Sequence, residues 1–539
     1  MADIKAMFHQ VKVSDKHVDY LRFLWWPDSD MQQDLTEYRM KVHLFGAVSS
    51  PSCANFALRK TAEDNQAHFP PEVTDTVRHN FYVDDCLRSI PTEQEAVQLV
   101  KDLTALCQMG GFTLSKWISN SRAVLTSIPQ EHRAKEIKEL DLDKDNLPME
   151  RALGLHWCVE TDVFKFTVVV PERPHTRRGF LSVVSSVYDP LGFLGPFTLP
   201  AKMIMQELYK ENLGWDETIP HVFSQQWTGW LADLSKMKEF KVDRCMKPTH
   251  FGQITHSQLH HFSDASESGY GTVSYLRLEN KNKEVHVAFI IGKSRVAPLK
   301  QMTIPRMELA AAVLAVKVDT MLRKDLQLKL EKSFFWTDST TVLKYISNET
   351  KRFKTFVANR VSFVRDATDI SQWRYVSTKE NPADAASRGL TADRFLGYKN
   401  WIRGQDFLWK ANQEWPILQV ESKISVDDPE IKPGITVNAI VKSQLNPTNY
   451  FIHYFSSWMR LKIAIAWLLK VKTTLLQLTR KRKEVQTAVS SVENDPVKLK
   501  KKKKKKKWWK KRMKWTKEKT KKEKAKTRKR TKIAYWKDQ

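Results

Sequence analysis

Apolar residues in the first 170 positions fall into short runs and helix-spaced sets, a pattern that predicts mixed α/β structure. The run Phe81-Tyr82-Val83 leads straight into Asp84-Asp85 and resumes at Cys86-Leu87, as expected of two short strands joined by a tight turn. Residues 94–109 keep helical spacing and end at Gly110-Gly111, a C-terminal stop. Upstream, Leu44-Phe45-Gly46 reads as a glycine turn before a helix, with Ser50 as its N-cap and Pro51 as its first residue. Residues 171–250 are helix-rich with Pro/Gly breaks such as Asp189-Pro190-Leu191-Gly192. Period-two alternation around His260 to Tyr275, interrupted at Gly269, predicts a strand pair. A helix is predicted to start at Pro305 with Glu308 in its first turn. A buried strand Phe334-Phe335-Trp336 is predicted to end in Asp338, and a short helix to be capped by Asn381 and stopped near Gly389. Residues 391–420 hold Trp401, Trp409 and Trp415 and read as a packing extension; 421–450 reads as a linker and 456–470 as an amphipathic helix.

Length changes this picture by implying roughly three or four domains. Charge changes it more. The net charge is +28, but from Lys498 onward there are 24 Lys and Arg against 3 Asp and Glu, so the body is only mildly basic. The segment 498–539, with eight lysines in a row at 500–507, is expected to be disordered. A basic balance suits a polyanion without identifying one. Five cysteines with no CxxC pair argue against a disulfide framework or a cysteine zinc site and fit a reducing compartment. No signal peptide is read at the start. The most apolar window, Ile463 to Leu469, is too short to span a bilayer, so no membrane partner is expected.

The first candidate chemistry lies around the paired aspartates. A solvated hairpin turn explains Asp84-Asp85 as well as a Mg²⁺ site does, until the flanks are included. In order and spacing, residues 1–170 resemble the palm of a reverse transcriptase. The resemblance makes Asp3, Asp84 and Asp85 the catalytic metal ligands and Lys116 the acid for the pyrophosphate leaving group. It makes Phe8 the sugar-discriminating aromatic, and puts Phe45, Gly46, Ser50 and Pro51 in the template and nucleotide-binding turn. Tyr82, of the YxDD motif, becomes a substrate contact, and the Leu153–Trp157 hairpin, with Trp157, is similar to the primer grip. The chemistry implied is two-metal phosphoryl transfer on a template-primer. Because the chain opens at Asp3, the fingers that hold the nucleotide triphosphate are expected to be missing and Asp3 to lack a supporting strand. Weak or absent dNTP binding and impaired polymerase activity are the expected result.

The second set is longer. Asp264, Glu308, Asp338 and Asp384 each lie at an element end or early in a helix. Any single one reads best as a cap; four in this order read as a cleft of carboxylates that repel unless cations sit between them. This block closely resembles ribonuclease H, with those residues as its four metal ligands. The implied cofactor is Mg²⁺, two per site, with Mn²⁺ as the alternative, and the implied substrate is the RNA strand of an RNA–DNA hybrid. The histidine often found before the last acid has no counterpart between Arg374 and Ala383; Lys379 or Glu380 would have to assist product release.

Polymerase then ribonuclease H, joined through Val187–Pro196, resembles the BEL/Pao class of LTR retrotransposon polyproteins over roughly residues 1–470. The stretch from about 150 to 300 is similar to the domain catalogued as the Pao retrotransposon peptidase. No aspartic-protease Asp-Thr/Ser-Gly occurs, so peptidase activity is not expected. The expected fold class is α/β and α+β multidomain. It divides into a truncated palm (1–170), a thumb- or connection-like helical region (171–250), a ribonuclease H-like mixed α/β domain (251–390), a Trp-rich extension (391–420), a linker and helix toward a missing integrase (421–497) and the basic tail (498–539). Two alternatives stay open, a catalytically inactive nucleic-acid-binding relic and a host-domesticated regulator. A cytoplasmic location is expected, with the lysine run also matching a nuclear-import signal. Oligomeric state is not readable.

Overall fold

The β-branched and aromatic runs of residues 254–296 become three long antiparallel strands, Ile254–Ala265, Gly269–Asn280 and Val285–Val296. Two short strands, Phe334–Thr337 and Trp373–Tyr375, extend this sheet in parallel from the Ile254–Ala265 side, giving five strands. The structure, a computed structural model, describes residues 1–168, 170, 172–418, 423–425, 427–432, 447–455 and 457–490. One compact unit spans Met1–Lys432, and a second lies within Pro433–Arg530.

Both faces of the five-stranded sheet are covered, which accounts for its near-continuous burial. On one face lies the helix Ile304–Asp325, backed by Thr355–Ala367 through Leu309, Ala312, Val316, Val357 and Val361. On the other lie the short helix Ala383–Arg388 and the helix Gly195–Lys210. The short helix comes so close to the strands that a Cβ on Gly271 would sit 2.6 Å from Ala386 Cβ. The turn before Gly195–Lys210 is tighter still. Gly192 has φ 75°, and a Cβ there would lie 2.0 Å from the Gly292 carbonyl oxygen. Gly192→Ala is therefore expected to cost about 2–4 kcal/mol in a urea melt, from backbone strain plus a backbone clash that no rotamer relieves.

Helices Arg177–Ser186, Gly195–Lys210 and His221–Lys236 carry a stacked aromatic row, with Phe180 and Trp227 at 3.9 Å and Trp227 and Trp230 at 5.1 Å. This region, expected as thumb- or connection-like, shares one hydrophobic core with the five-stranded sheet. The Trp-rich extension does pack. Trp401 is fully buried and its Nε1–H donates to the Phe193 carbonyl at 2.6 Å. Buried Arg277 donates to the carbonyls of Leu408 and Lys410 at 2.9 and 3.0 Å, which straps the extension across the sheet.

The amino-terminal part holds a four-stranded antiparallel sheet in the order Phe81–Tyr82, Asp85–Cys86, Ala2–Ile4, Leu114–Ser115. Asp3 was expected to lack a supporting strand. It sits instead on an inner strand, opposite Asp85 on one side and Ser115 on the other. Helices Ser50–Asp64, Pro71–His79 and Glu93–Met109 back this sheet through Leu58, Val77, Leu103 and Leu106. Ser50 is not the N-cap. The first helical bond runs from Cys53 N–H to the Ser49 carbonyl, so Ser50 is the first helical residue, buried beside His43 with Oγ to Nδ1 at 3.4 Å. A second antiparallel sheet runs Lys241–Asp243, Val163–Lys165, Leu155–Cys158, Met149–Ala152. An exposed two-stranded ribbon joins Arg22–Trp25 to Thr36–Arg39.

The second unit contains helices Pro447–Tyr454 and Trp458–Ser490, the latter far longer than the 456–470 expected. No helix among the described residues is long and apolar enough to cross a membrane. The basic tail and most of the linker lie outside the described residues.

Candidate functional site

Strand pairing sets up the acids. Ile254–Ala265 and Phe334–Thr337 run parallel with Ser263 opposite Thr337, so the next residues, Asp264 and Asp338, leave the same sheet edge side by side. Asp384 comes from the first turn of Ala383–Arg388, which lies against the same strand end. Glu308 comes from the helix on the opposite face. That helix starts at Ile304, one residue before Pro305, so Glu308 falls in its second turn rather than the first.

Each carboxylate is held by a neighbouring polar group. Ser387 Oγ donates to Asp264 Oδ2. Asn381 Nδ2 donates to both the Ser263 carbonyl at 3.1 Å and Asp338 Oδ1 at 3.2 Å, while its Oδ1 accepts from Ala383 N–H at 3.1 Å. Ser339 Oγ caps the helix Thr340–Ser347 by accepting from Val342 N–H and donates to Glu308 Oε2 at 2.6 Å. Arg388 Nε donates to Asp384 Oδ1 at 2.5 Å. These four partners were missed in the sequence, although Asn381, Ser387 and Arg388 stand inside the same motif as Asp384. The spacing of three and four from Asp384 puts Ser387 and Arg388 one helical turn away.

Electrostatics ties the acids together. Burial pushes the Asp264 carboxyl up to about 7, aided by the charges of Asp338 and Asp384 and opposed by the Ser387 bond. Glu308 is also raised, first by burial and then by Asp338, against the Ser339 bond. The set is all oxygen and acidic, with Asp384 alone in an ion pair among the described residues, to Arg388, which is the donor chemistry of a hard divalent cation. As the side chains stand, no three His, Cys, Asp or Glu among the described residues form a metal-binding group. The four carboxylates are thus tied to local partners and form no closed ligand cluster among the described residues.

The adjacent histidines do not fill the place of the absent one. His260 is fully buried, and its Nδ1 accepts from Trp336 Nε1–H at 3.1 Å. His261 lies between Ser274 and Asp319 at 2.7 and 3.1 Å, a Ser–His–Asp line sealed in the core with no route for substrate. Lys379 and Glu380 lie on the turn before Asn381, where Glu380 accepts from Ser377 at 2.8 Å.

The first carboxylate set lies elsewhere in the unit. Asp3 and Asp85 line a cavity of about 790 Å³ together with Lys116, Arg133, Lys135 and Glu136. Lys116 Nζ is 3.2 Å from Asp3 Oδ2. Asp3 is raised by burial against that lysine, and Asp85 is raised to about 6 by burial and by Asp84 and Asp3. Asp84 lies in the turn after Val83, whose φ is 60°. Phe8 and exposed Phe45 meet at 4.9 Å beside Gly46 (φ 83°), just before the helix that begins at Ser50 and Pro51. Tyr82 is half-buried and pairs with Asp85 across the hairpin. Trp157, expected as a substrate contact, is buried, its Nε1–H donates to Asp162 at 2.9 Å and the Arg244 guanidinium lies over its ring.

Residues 176–339 match the family model described as the Pao retrotransposon-like RNaseH-like domain. The match starts inside the helical region and carries a ribonuclease H-like description where the sequence reading attached a peptidase name. It includes Asp264, Glu308 and Asp338. Solved structures similar to this chain include the amino-terminal ribonuclease H domain of rv2228c from Mycobacterium tuberculosis, fused to maltose binding protein. It is 11% identical, covers 24% of this chain and 95% of that one, and has a TM-score of 0.18. They also include ribonuclease H1 from Halobacterium salinarum NRC-1, which is 12% identical, covers 24% and 94%, and has a TM-score of 0.16. No curated protein matches the chain. The family match thus falls on residues 176–339, in a region of mixed α/β structure.

Proposed function

We propose that this domain hydrolyses the RNA strand of an RNA–DNA hybrid, using divalent cations held by Asp264, Glu308, Asp338 and Asp384. The observation that carries the reading is the parallel pairing of Ile254–Ala265 with Phe334–Thr337, which delivers Asp264 and Asp338 to one sheet edge within electrostatic reach of Asp384 and Glu308. When bound, Mg²⁺ would supply an activated water and Lewis-acid stabilisation of the leaving oxygen. The chain's own groups do the holding. Ser387 and Asn381 fix the rotamers of Asp264 and Asp338, and Ser339 does the same for Glu308. Contacts to the 2′-OH would distinguish RNA from DNA. The domain boundaries set out from the sequence belong to this proposal. So does the place of the region as one part of a BEL/Pao polyprotein.

The test is Mg²⁺-dependent cleavage of a labelled RNA–DNA hybrid by the purified chain. Asp338→Asn is expected to lower the rate by about three orders of magnitude, the scale of metal-assisted charge stabilisation. Wild-type cleavage no greater than that of Asp338→Asn would end the reading.

The cavity around Asp3, Asp85 and Lys116 supports a second reading, a polymerase-type site for a template-primer. In this reading Asp3, Asp84 and Asp85 would supply oxygen donors for Mg²⁺, and Lys116, 3.2 Å from Asp3, would give a proton to the leaving oxygen. Extension of a labelled primer, lost in Asp85→Asn, supports it; nucleic-acid binding without extension favours a non-catalytic binder.

A further inference from the structure

Arg388 ends the helix Ala383–Arg388, and its Nε lies 2.5 Å from Asp384 Oδ1. An exposed Asp–Arg pair four residues apart on a helix is ordinarily worth about 0.3–0.5 kcal/mol and needs no functional account. Three observations set this pair apart. The neighbouring Ser387 donates to Asp264 Oδ2, so the helix end that carries Arg388 lies against the carboxylate cluster and not Asp384 alone. Among the described residues no Lys or Arg forms an ion pair with Asp264, Glu308 or Asp338. Their partners are the neutral groups of Ser387, Ser339 and Asn381. The backbone of Arg388 is pinned on its C-terminal side, since Gly389 takes φ 81° against the Pro200 ring and Leu390 N–H bonds the Pro196 carbonyl at 3.0 Å. The side chain itself is 60% exposed. A held backbone with a long, solvent-exposed cationic arm places a charge at the open side of the cluster.

We propose that Arg388 is a tethered counter-cation of the Asp264–Asp338–Asp384 cluster. A divalent ion displaces it, and the freed guanidinium then pairs with a phosphate of the bound polynucleotide. This rests on the nuclease reading of the same acids. It adds a competition, because the same carboxylate oxygen cannot serve the guanidinium and a metal ion equally well. It also supplies a cationic group close to where the polynucleotide backbone must pass. Planar guanidinium suits phosphate better than ammonium does.

The test uses the full chain and two measurements independent of turnover. Calorimetric titration with Mg²⁺ alone is expected to show Arg388→Ala and Arg388→Gln binding about three- to tenfold more tightly than wild type, as loss of a weak competing ion pair implies. Arg388→Lys, which keeps the charge, should return affinity to near the wild-type value. Binding to the hybrid, measured against salt with Ca²⁺ in place of Mg²⁺, should weaken in Arg388→Ala with a salt slope smaller by about one. Unchanged or weaker Mg²⁺ binding in both neutral variants, or an unchanged salt slope, overturns the role of Arg388 and leaves the nuclease reading standing. A wild-type chain that binds no Mg²⁺ removes the nuclease reading and this inference with it.

Discussion

Asp264→Asn is expected to abolish hybrid cleavage while making the metal-free protein more stable at pH 8. The two effects have one cause. Asp264 is 5% exposed, and burial with two neighbouring carboxylates raises it to about 7 from an unperturbed 3.8. The folded chain therefore holds a proton there that the unfolded chain gives up between pH ~4 and ~7. Stability from this group is complete below pH ~4 and falls as pH rises through the folded value. At pH 8 the ionised Asp264 opposes folding by at most about 4 kcal/mol, and Asn at this position removes that opposition. Urea melts in EDTA at pH 4, 6 and 8 should show wild type and Asp264→Asn alike at the lowest pH and diverging above it. Mg²⁺ should then reverse the order, because a ligand that binds the native state raises stability by mass action and the variant has lost part of its site. Cleavage by Asp264→Asn should fall by about three orders of magnitude or more, in line with removal of a group that holds the reacting centre's cation. Equal stability of the two proteins at pH 8 without metal would show that burial does not strain Asp264 in this way.

The largest stability loss is expected from Trp401→Ala, about 3–5 kcal/mol on the scale of buried aromatic truncations. Trp401 is completely buried, packs its ring against Phe289 at 5.6 Å and donates to the Phe193 carbonyl. Its indole also fills the space that a side chain on Gly292 would take. Truncation opens a cavity between the extension and the sheet and leaves a buried carbonyl without its donor, two costs that add. Trp401→Phe should lose less, since it keeps most of the volume and forfeits only the hydrogen bond and ring edge. Guanidinium melts monitored by circular dichroism decide this: a midpoint shift at constant m reports the expected loss, and a shift below about 1 kcal/mol contradicts this packing.

What could be read from the sequence depended on how local each feature was. Strand alternation from His260 to Tyr275, the Gly110 stop and the run into Asp338 depend on neighbours a few residues apart, and those elements lie where the pattern put them. Helix starts at Ser50 and Pro305 were off by one residue, because proline is tolerated throughout the first turn and does not mark its first position. The surroundings of Trp157 could not be read, since they depend on Arg244 arriving from more than 80 residues downstream to pair with Asp162 and cover the ring. The support around Asp3 is likewise non-local, coming from residues more than 80 positions downstream. The helices of 177–236 read correctly as helices, but nothing in their own spacing says which sheet they cover. The acids were legible as types in order. Asn381 looked like an ordinary cap, and nothing local marked Ser387 or Ser339 as carboxylate partners until the backbone brought them together.

Arg277 bears on where the nuclease region can be cut. Its guanidinium is 1% exposed and depends on carbonyl acceptors at Leu408 and Lys410. A polypeptide ended at 390, where the last acid motif stops, would strip those acceptors away and leave the guanidinium only its longer contacts to Gln258 and Glu279 on an uncovered sheet. Arg306 would lose Glu430 at the same time, a bidentate partner at 2.6 and 3.0 Å. A stably folded form of this region is therefore expected to reach at least Glu430, so that both arginines keep their partners.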